Sequence, residues 1–322
     1  MFYLYLVCRC FFLIINICVY RQKQAYLVNF IQMKSILIKI INFISKPFAG
    51  KGIIDRYFPF VLHLYENIYS KIQPDEYVIV NIPQNLKLRV SKKDSFLGNL
   101  LINKGEFEPL ETLEFIKSIQ QDSTVFDVGA NFGYYANIAG SIAINGKVYA
   151  FEPDKNNFED LKFNASLNSL INIKVENLGV GSTSGYVYFK SDTVHRGRSK
   201  IVENEGDYKI NIVTLDDYCQ KKNILNIDIL KVDVEGFETN VLEGAKNVIK
   251  KSPNIKLFIE FNPSTLKERN LEVAVFFDTL KDVGLAPKLI IDEAKGQVLE
   301  FNQKNLKHVL THSTYSNLVC LK

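Results

Sequence analysis

The sequence predicts an α/β protein, a mostly parallel β-sheet wrapped by helices, on three observations. Short apolar stretches alternate with helical ones from Val125 onward. The segment VFDVGANFGYYANIAG, residues 125–140, runs a strand into a glycine-bearing turn and then a helix. The 322-residue chain is 47% hydrophobic, enough to fill a sizeable core.

Each element has its own signal. A helical stretch over 57–72 precedes YVIVNIPQNLKLRV, whose apolar–polar alternation on either side of Pro83-Gln84-Asn85 predicts a β-hairpin. GEFEPLETLEFIKSI puts Pro109 in a first helical turn and Leu110, Leu113 and Ile116 on one face. Strands are expected at 125–128, 147–151 and 172–177, with helices from about 133 and over 155–168 between them. A strand near 185–190 and one at 227–234 follow, then a helix over 238–250 and a strand at 255–261. A helix over 271–283 and final strands near 287–300 and 316–321 complete the pattern. A ligand of such a sheet lies across the carboxyl ends of its strands.

Charge is unevenly spread. Residues 1–54 hold Arg9, Arg21, Lys23, Lys34, Lys39, Lys46 and Lys51 and no acid, so the remainder carries −3 against +4 for the whole chain. A slightly acidic body argues against a nucleic-acid surface, and the basic leader points toward a membrane surface. Cys8, Cys10 and Cys18 lie in the leader, and Cys219 and Cys320 are far apart in sequence. No pair has zinc-ligand spacing, which suits a reducing, cytoplasmic setting.

Residues 2–20 are apolar except for Arg9 and Asn16. That length is marginal for a membrane span, and a central arginine costs roughly 2.5–3.5 kcal/mol on insertion scales. If the segment inserts, Arg21 and Lys23 hold the body on the cytoplasmic side. Polar residues at 29, 32, 35, 39, 42 and 46 then trace one stripe of a helix, which lies either on a membrane or against the folded body. A third reading starts the working protein at Met33 and leaves residues 1–32 outside it.

The turn after residue 128 restricts the ligand. A dinucleotide fingerprint needs glycine at 131 and 134, where Asn131 and Tyr134 stand, so a nicotinamide cofactor is disfavoured. Asp127, at the end of the strand, would repel a pyrophosphate but can receive an ammonium or sulfonium group. Glu152, ending the next strand in VYAFEPD, can accept both hydroxyls of a ribose. Together with Gly129 and Gly133 for close backbone approach, these acids describe S-adenosylmethionine. The bland alternative is a capping Asp and a solvent-facing Glu.

With these residues in hand, the chain resembles the FkbM-type class I methyltransferases. The match runs in order through GEFEPLETL, VFDVGANFGYY, VYAFEPDKNNFEDLKFNASLN, VTLDDYC, ILKVDVEGFETNVLEGAKNVI and LFIEFN, about residues 105–262. The resemblance implies a Rossmann-like, mostly parallel seven-stranded sheet with helices on both faces, S-adenosyl-L-methionine as donor, and O-methylation of a sugar, glycan or small metabolite. It puts Asp127, Gly129, Asn131 and Gly133 in the cofactor loop, Glu152 on the ribose and Asn177 near the adenine. The expected organisation is a leader over 1–32, a helical and hairpin extension over 33–104, and a catalytic domain over 105–322.

On the acceptor side, Lys231, Asp233 and Glu235 alternate and so share one strand face. Asp233 is the first choice for the base that removes a hydroxyl proton, with Glu235 second and His195, in KSDTVHRGRSK, a third candidate on a substrate loop. A variant has Asp233, Glu235 and Glu260 holding a divalent cation, which is not favoured; no metal ligand is assigned. In the plainest reading Lys231 neutralises Asp233 and Glu235 caps the next helix. Two other functions compete: a catalytically silent, membrane-associated scaffold of the same fold, and a NAD-dependent sugar-modifying enzyme.

Overall fold

The computed structural model describes residues 77–192, 195, 199–202, 205–312 and 315–322. The expected leader, its polar-striped segment and the helical stretch over 57–72 lie outside the described residues. Among the described residues no helix is long and apolar enough to cross a membrane.

The chain enters through an antiparallel hairpin, β1 (Tyr77–Ile82) and β2 (Leu86–Ser91), joined by a 3-10 turn at Pro83–Asn85 as the alternation predicts. Helices α1 (Leu97–Lys104) and α2 (Pro109–Ser118) lead to β3 (Thr124–Val128), α3 (Tyr134–Ile142), β4 (Lys147–Phe151), α4 (Lys155–Leu167) and β5 (Ile173–Glu176). A smaller unit then interrupts the alternation: β6 (Gly179–Val180), β7 (Gly185–Lys190), β8 (Lys200–Val202) and β9 (Tyr208–Val213) form a separate four-stranded sheet in the order β6-β9-β7-β8. The main sheet resumes with α5 (Leu215–Lys222), β10 (Ile229–Val232), α6 (Glu238–Gly244), α7 (Lys246–Lys251) and β11 (Lys256–Phe261). It ends with α8 (Pro263–Glu268), α9 (Val273–Asp282), β12 (Ala286–Asp292), β13 (Gln297–Glu300), α10 (Gln303–His312) and β14 (Ser316–Leu321).

The main sheet has eight strands in the order β13-β12-β14-β11-β10-β3-β4-β5. Strands β11, β10, β3, β4 and β5 are parallel, and β14, β12 and β13 are antiparallel additions. The eighth strand arises because the single expected strand near 287–300 is a hairpin, turned at Gly296 with φ 64°. Three further departures have local causes. The strand expected at 227–234 stops at Val232, because Glu235 and Gly236 adopt left-handed backbone. The helix expected over 238–250 breaks at Ala245. The strand near 185–190 pairs only within the small sheet.

Packing places the functional end of the sheet. One face, with Phe126, Leu230 and Leu257, is covered by α5, α6 and α9 residues such as Leu215, Val241 and Phe276. The other face, with Val125, Ile229 and Phe258, buries Phe115 of α2, Tyr135 of α3, and Leu88 and Val90 of the hairpin. The hairpin is thus part of the same core, clamped further by Arg89, which pairs with Asp160 and lies over the Phe163 ring at 3.7 Å.

Gly129 shows how tightly the central turn is built. Its φ is 85°, and a Cβ there would sit 1.8 Å from the Asp233 carbonyl oxygen. Gly284 has the same φ of 85° with open space around it. Gly284→Ala should therefore cost only the left-handed backbone term, about 1–2 kcal/mol, whereas Gly129→Ala should cost clearly more. Urea-unfolding midpoints of the two variants check the difference.

Candidate active site

The strand register sets the site. Lys231 of β10 stands beside Asp127 of β3 on one side and Phe258 of β11 on the other, so Lys231 and Asp127 share a face at the carboxyl end of the sheet. Above them opens a cavity whose walls include Asp127, Gly129, Asn131, Glu152, Asp233 and Glu235. The small sheet closes it with Phe189 of β7, Ile201 of β8 and His195 between those strands, and α1 and its approach add Phe96 and Leu97.

Lys231 is 1% exposed, and its ammonium lies 3.2 and 3.3 Å from the two carboxylate oxygens of Glu111. It is 3.6 Å from Asp233 and 4.3 Å above the Tyr135 ring. Glu111 also accepts from Tyr135 OH at 3.0 Å and Asn317 Nδ2 at 2.8 Å. Asn317 and Tyr135 reach Glu108 as well, at 3.1 and 3.2 Å. Burial and the neighbouring Glu111 hold the Glu108 carboxyl well above its usual range, which favours its protonated form. Glu111 and the other carboxyls around Lys231 overcome the burial penalty on the ammonium, which stays charged.

Asp127 is the exception in this network. It is 2% exposed, its Oδ2 has no hydrogen-bond partner, and burial pushes its carboxyl up to about 7. Lys231 opposes that rise, and Asp233 and Glu111 add to it.

Glu152 is held ready by the backbone: Oε2 accepts the Asn131 N–H at 2.8 Å and Oε1 the Asp154 N–H at 2.7 Å. Asn131 sits at φ 51° and turns its side-chain oxygen onto the Phe132 N–H at 2.9 Å. Gly133 and Asn177 do not line the cavity. Gly133 has a left-handed φ of 94°, and a Cβ there would also meet Leu161 Cδ1 of α4 at 2.3 Å. The Asn177 amide donates to the carbonyls of Glu152 and Pro153 at 2.8 and 3.0 Å, and so braces the loop that carries Glu152.

Asp233, Glu235 and His195 all line the cavity. Asp233 lies past the end of β10 with its side chain 29% exposed. Burial raises its carboxyl, Lys231 lowers it, and Glu111 raises it again. Glu235, at φ 53°, belongs to a turn. The carboxylate that receives the N–H groups of Val234 and Gly236 there is Glu238, at 3.3 and 3.0 Å. Glu260 does not line the cavity; its Oε2 is buried without a partner, and burial, Glu235 and Asp233 hold its carboxyl well above the usual range. Among the described residues no group of three or more His, Cys, Asp or Glu is arranged to hold a metal ion. His195 stacks on Phe96 with ring centroids 4.6 Å apart.

Two residues outside the sequence-based candidates tie this site together. Asp154 caps α4 through Asn156 and Asn157 N–H groups with one oxygen, and with the other accepts from Ser191 Oγ at 2.8 Å and Tyr208 OH at 2.7 Å. It thereby fastens the small sheet to the Glu152 loop. Glu111 is the second, and Glu111→Gln should cost about 3–5 kcal/mol, because it strips a buried ammonium of its main partner. Adding Lys231→Met removes the unpaired charge and should recover most of that loss. Thermal and urea unfolding of the single and double variants check this.

The chain is 28% identical over 148 residues to hexuronic acid methyltransferase AglP of Haloferax volcanii, covering 45% of this chain and 59% of that protein. It is 22% identical over 177 residues to 2-O-methyltransferase NoeI of Sinorhizobium fredii, 49% of this chain and 71% of that one. Among solved structures, P. horikoshii TYW2 in complex with MeSAdo aligns over 83% of this chain and 84% of its own, with 14% identity and a TM-score of 0.42. The methyltransferase FkbM domain profile matches residues 127–301, more than half of the chain, and the chain belongs to that family.

Proposed function

We propose that this protein is an S-adenosylmethionine-dependent methyltransferase that methylates a hydroxyl of a sugar, glycan or small metabolite. The observation that carries the reading is the buried, unpartnered Asp127 oxygen facing the cavity. Lys231 is the only buried cation among the described residues at this end of the sheet, and Glu111 already engages it. The acids of the cavity wall, Asp127, Glu152, Asp233 and Glu235, outnumber its cations, Lys200 and Lys231, and a ligand bearing an ammonium and a sulfonium offsets part of that excess. Asp127 would hold the amino-acid end, the Gly129 and Asn131 turn its approach, and Glu152 the ribose. The family and the two named relatives support the reaction class: one name gives a sugar acid as the group methylated, and the other gives transfer to an oxygen.

The donor, when bound, supplies an electrophilic methyl group. The chain's own task is to take the acceptor's proton and exclude water. Asp233 is the proton acceptor of choice, because it reaches the cavity while its surroundings raise its affinity for a proton. Glu235 stands beside it and His195 across the cavity as alternatives. Phe96, stacked on His195, and Ile201 shield the acceptor side. Residues 105–322 form the catalytic body, with the hairpin as a brace on it.

The basic leader extends the proposal: residues 1–46, with six lysines and arginines and no acid, would rest on the inner surface of a membrane.

Three results test these statements. Asp233→Asn should lower kcat by roughly 10²–10⁴ with little change in donor affinity, measured by methyl transfer to a panel of sugars. A cationic ligand favours ionised Asp127, so S-adenosylhomocysteine should bind more tightly as pH rises from 6 to 8, releasing a proton below pH 7. Calorimetry in buffers of different ionisation enthalpy should show that release and its loss in Asp127→Asn. The full chain should float with anionic vesicles, and a chain lacking residues 1–46 should not.

A further inference from the structure

We propose that Glu111 is a positioning residue that draws the Lys231 ammonium away from Asp233 and so keeps Asp233 basic enough to take a hydroxyl proton. The proposal rests on the reading of Asp233 as the proton acceptor. Glu111 itself is on α2, fully buried, and outside the cavity wall.

The geometry is asymmetric in the required sense. The ammonium is 3.2 and 3.3 Å from the two Glu111 oxygens but 3.6 Å from Asp233. Glu111 cannot drift, because Tyr135 of α3 and Asn317 of β14 both donate to it, at 3.0 and 2.8 Å. Three elements therefore fix where the positive charge sits. The Asp233 side chain, by contrast, is held among the described residues by this ammonium and faces the cavity.

Every charged or titratable group that faces Asp233 bears on its proton affinity. Lys231 comes from β10, Glu108 and Glu111 from α2, and Asp127 from β3. Glu238 comes from α6, Glu260 from β11 and Tyr315 from the residue before β14, with Glu235 in the adjoining turn. Lys231 alone among them favours the ionised form. With Glu111 uncharged, the nearest ionised carboxylate left to Lys231 is Asp233. The ammonium would turn to it, and the ion pair would make Asp233 a weaker base. Neither effect needs any movement of the backbone.

The direct test is titration of the Asp233 carboxyl by carbon NMR in the full chain labelled at aspartate, the signal being assigned by its absence in Asp233→Asn. Glu111→Gln should lower the Asp233 midpoint by about one pH unit or more. Glu111→Asp, charged but one methylene shorter, should lie between it and the wild type. An unmoved or raised midpoint in Glu111→Gln overturns the proposal. If Glu111→Gln does not fold, Glu111→Asp decides alone: a midpoint below that of the wild type supports the proposal, and an unchanged one overturns it. Because this readout involves no methyl transfer, it stands whatever Asp233 does in catalysis. Failure of the proton-acceptor reading would show separately, as a kcat for Asp233→Asn equal to that of the wild type. In the active enzyme, the acid limb of the kcat–pH profile should move down with the Asp233 midpoint while donor affinity holds.

Discussion

One ammonium buried at the carboxyl end of a parallel sheet governs this molecule. Lys231 is almost wholly removed from water, and Glu111, Glu108, Asp127 and Asp233 all lie close enough to act on it. A single cation can neutralise about one carboxylate, so the others must hold protons, face solvent or wait for a ligand. Glu111 takes the ammonium, the surroundings of Glu108 favour its protonated form, Asp233 turns to the cavity, and Asp127 is left with an unpartnered oxygen. The chemistry open to the site follows from that division.

The rest of the fold serves to keep this arrangement fixed. Glu111 is supplied by a helix that precedes the sheet, and Asn317 by the last strand, so the two ends of the described chain meet at the same carboxylate. The approach of Gly129 to the Asp233 carbonyl sets the two acidic turns side by side. On the far side, Asp154 joins the small sheet to the Glu152 loop through Ser191 and Tyr208. His195 and Ile201 reach the cavity from the segment that this joint anchors. The Glu152 and Asp233 sides of the cavity are thus held by different elements but share one charged floor.

Much of this was legible in the sequence. Strand Lys147–Phe151 has the expected limits, and Asp127, Glu152 and Asp233 reach one cavity as their spacing implied. What was hidden depended on long-range contacts. Glu108 and Glu111 stood inside GEFEPLETL as ordinary members of a helix, and only the folded register brings them to Lys231. Gly133, expected in the cofactor loop, does not line the cavity; its left-handed φ of 94° and the nearby Leu161 side chain both favour glycine there. The ties of Asn177 to the Glu152 loop were likewise hidden, because they join residues 25 positions apart. The strand through Asp233 and Glu235 was over-extended because alternation carries no warning of left-handed backbone at Glu235. Helix Leu215–Lys222 could have been found, since Thr214 caps it and Asp216 and Asp217 follow in the first turn.

On this reading Asp127, whose Oδ2 has no hydrogen-bond partner, and the backbone-held Glu152 form the two ends of a donor site. A crystal structure of the full chain with S-adenosylhomocysteine tests it most directly. The account predicts the ligand's ammonium within hydrogen-bonding distance of Asp127 and its ribose hydroxyls on Glu152. A ligand bound elsewhere, or bound here with its amino-acid end away from Asp127, would contradict it.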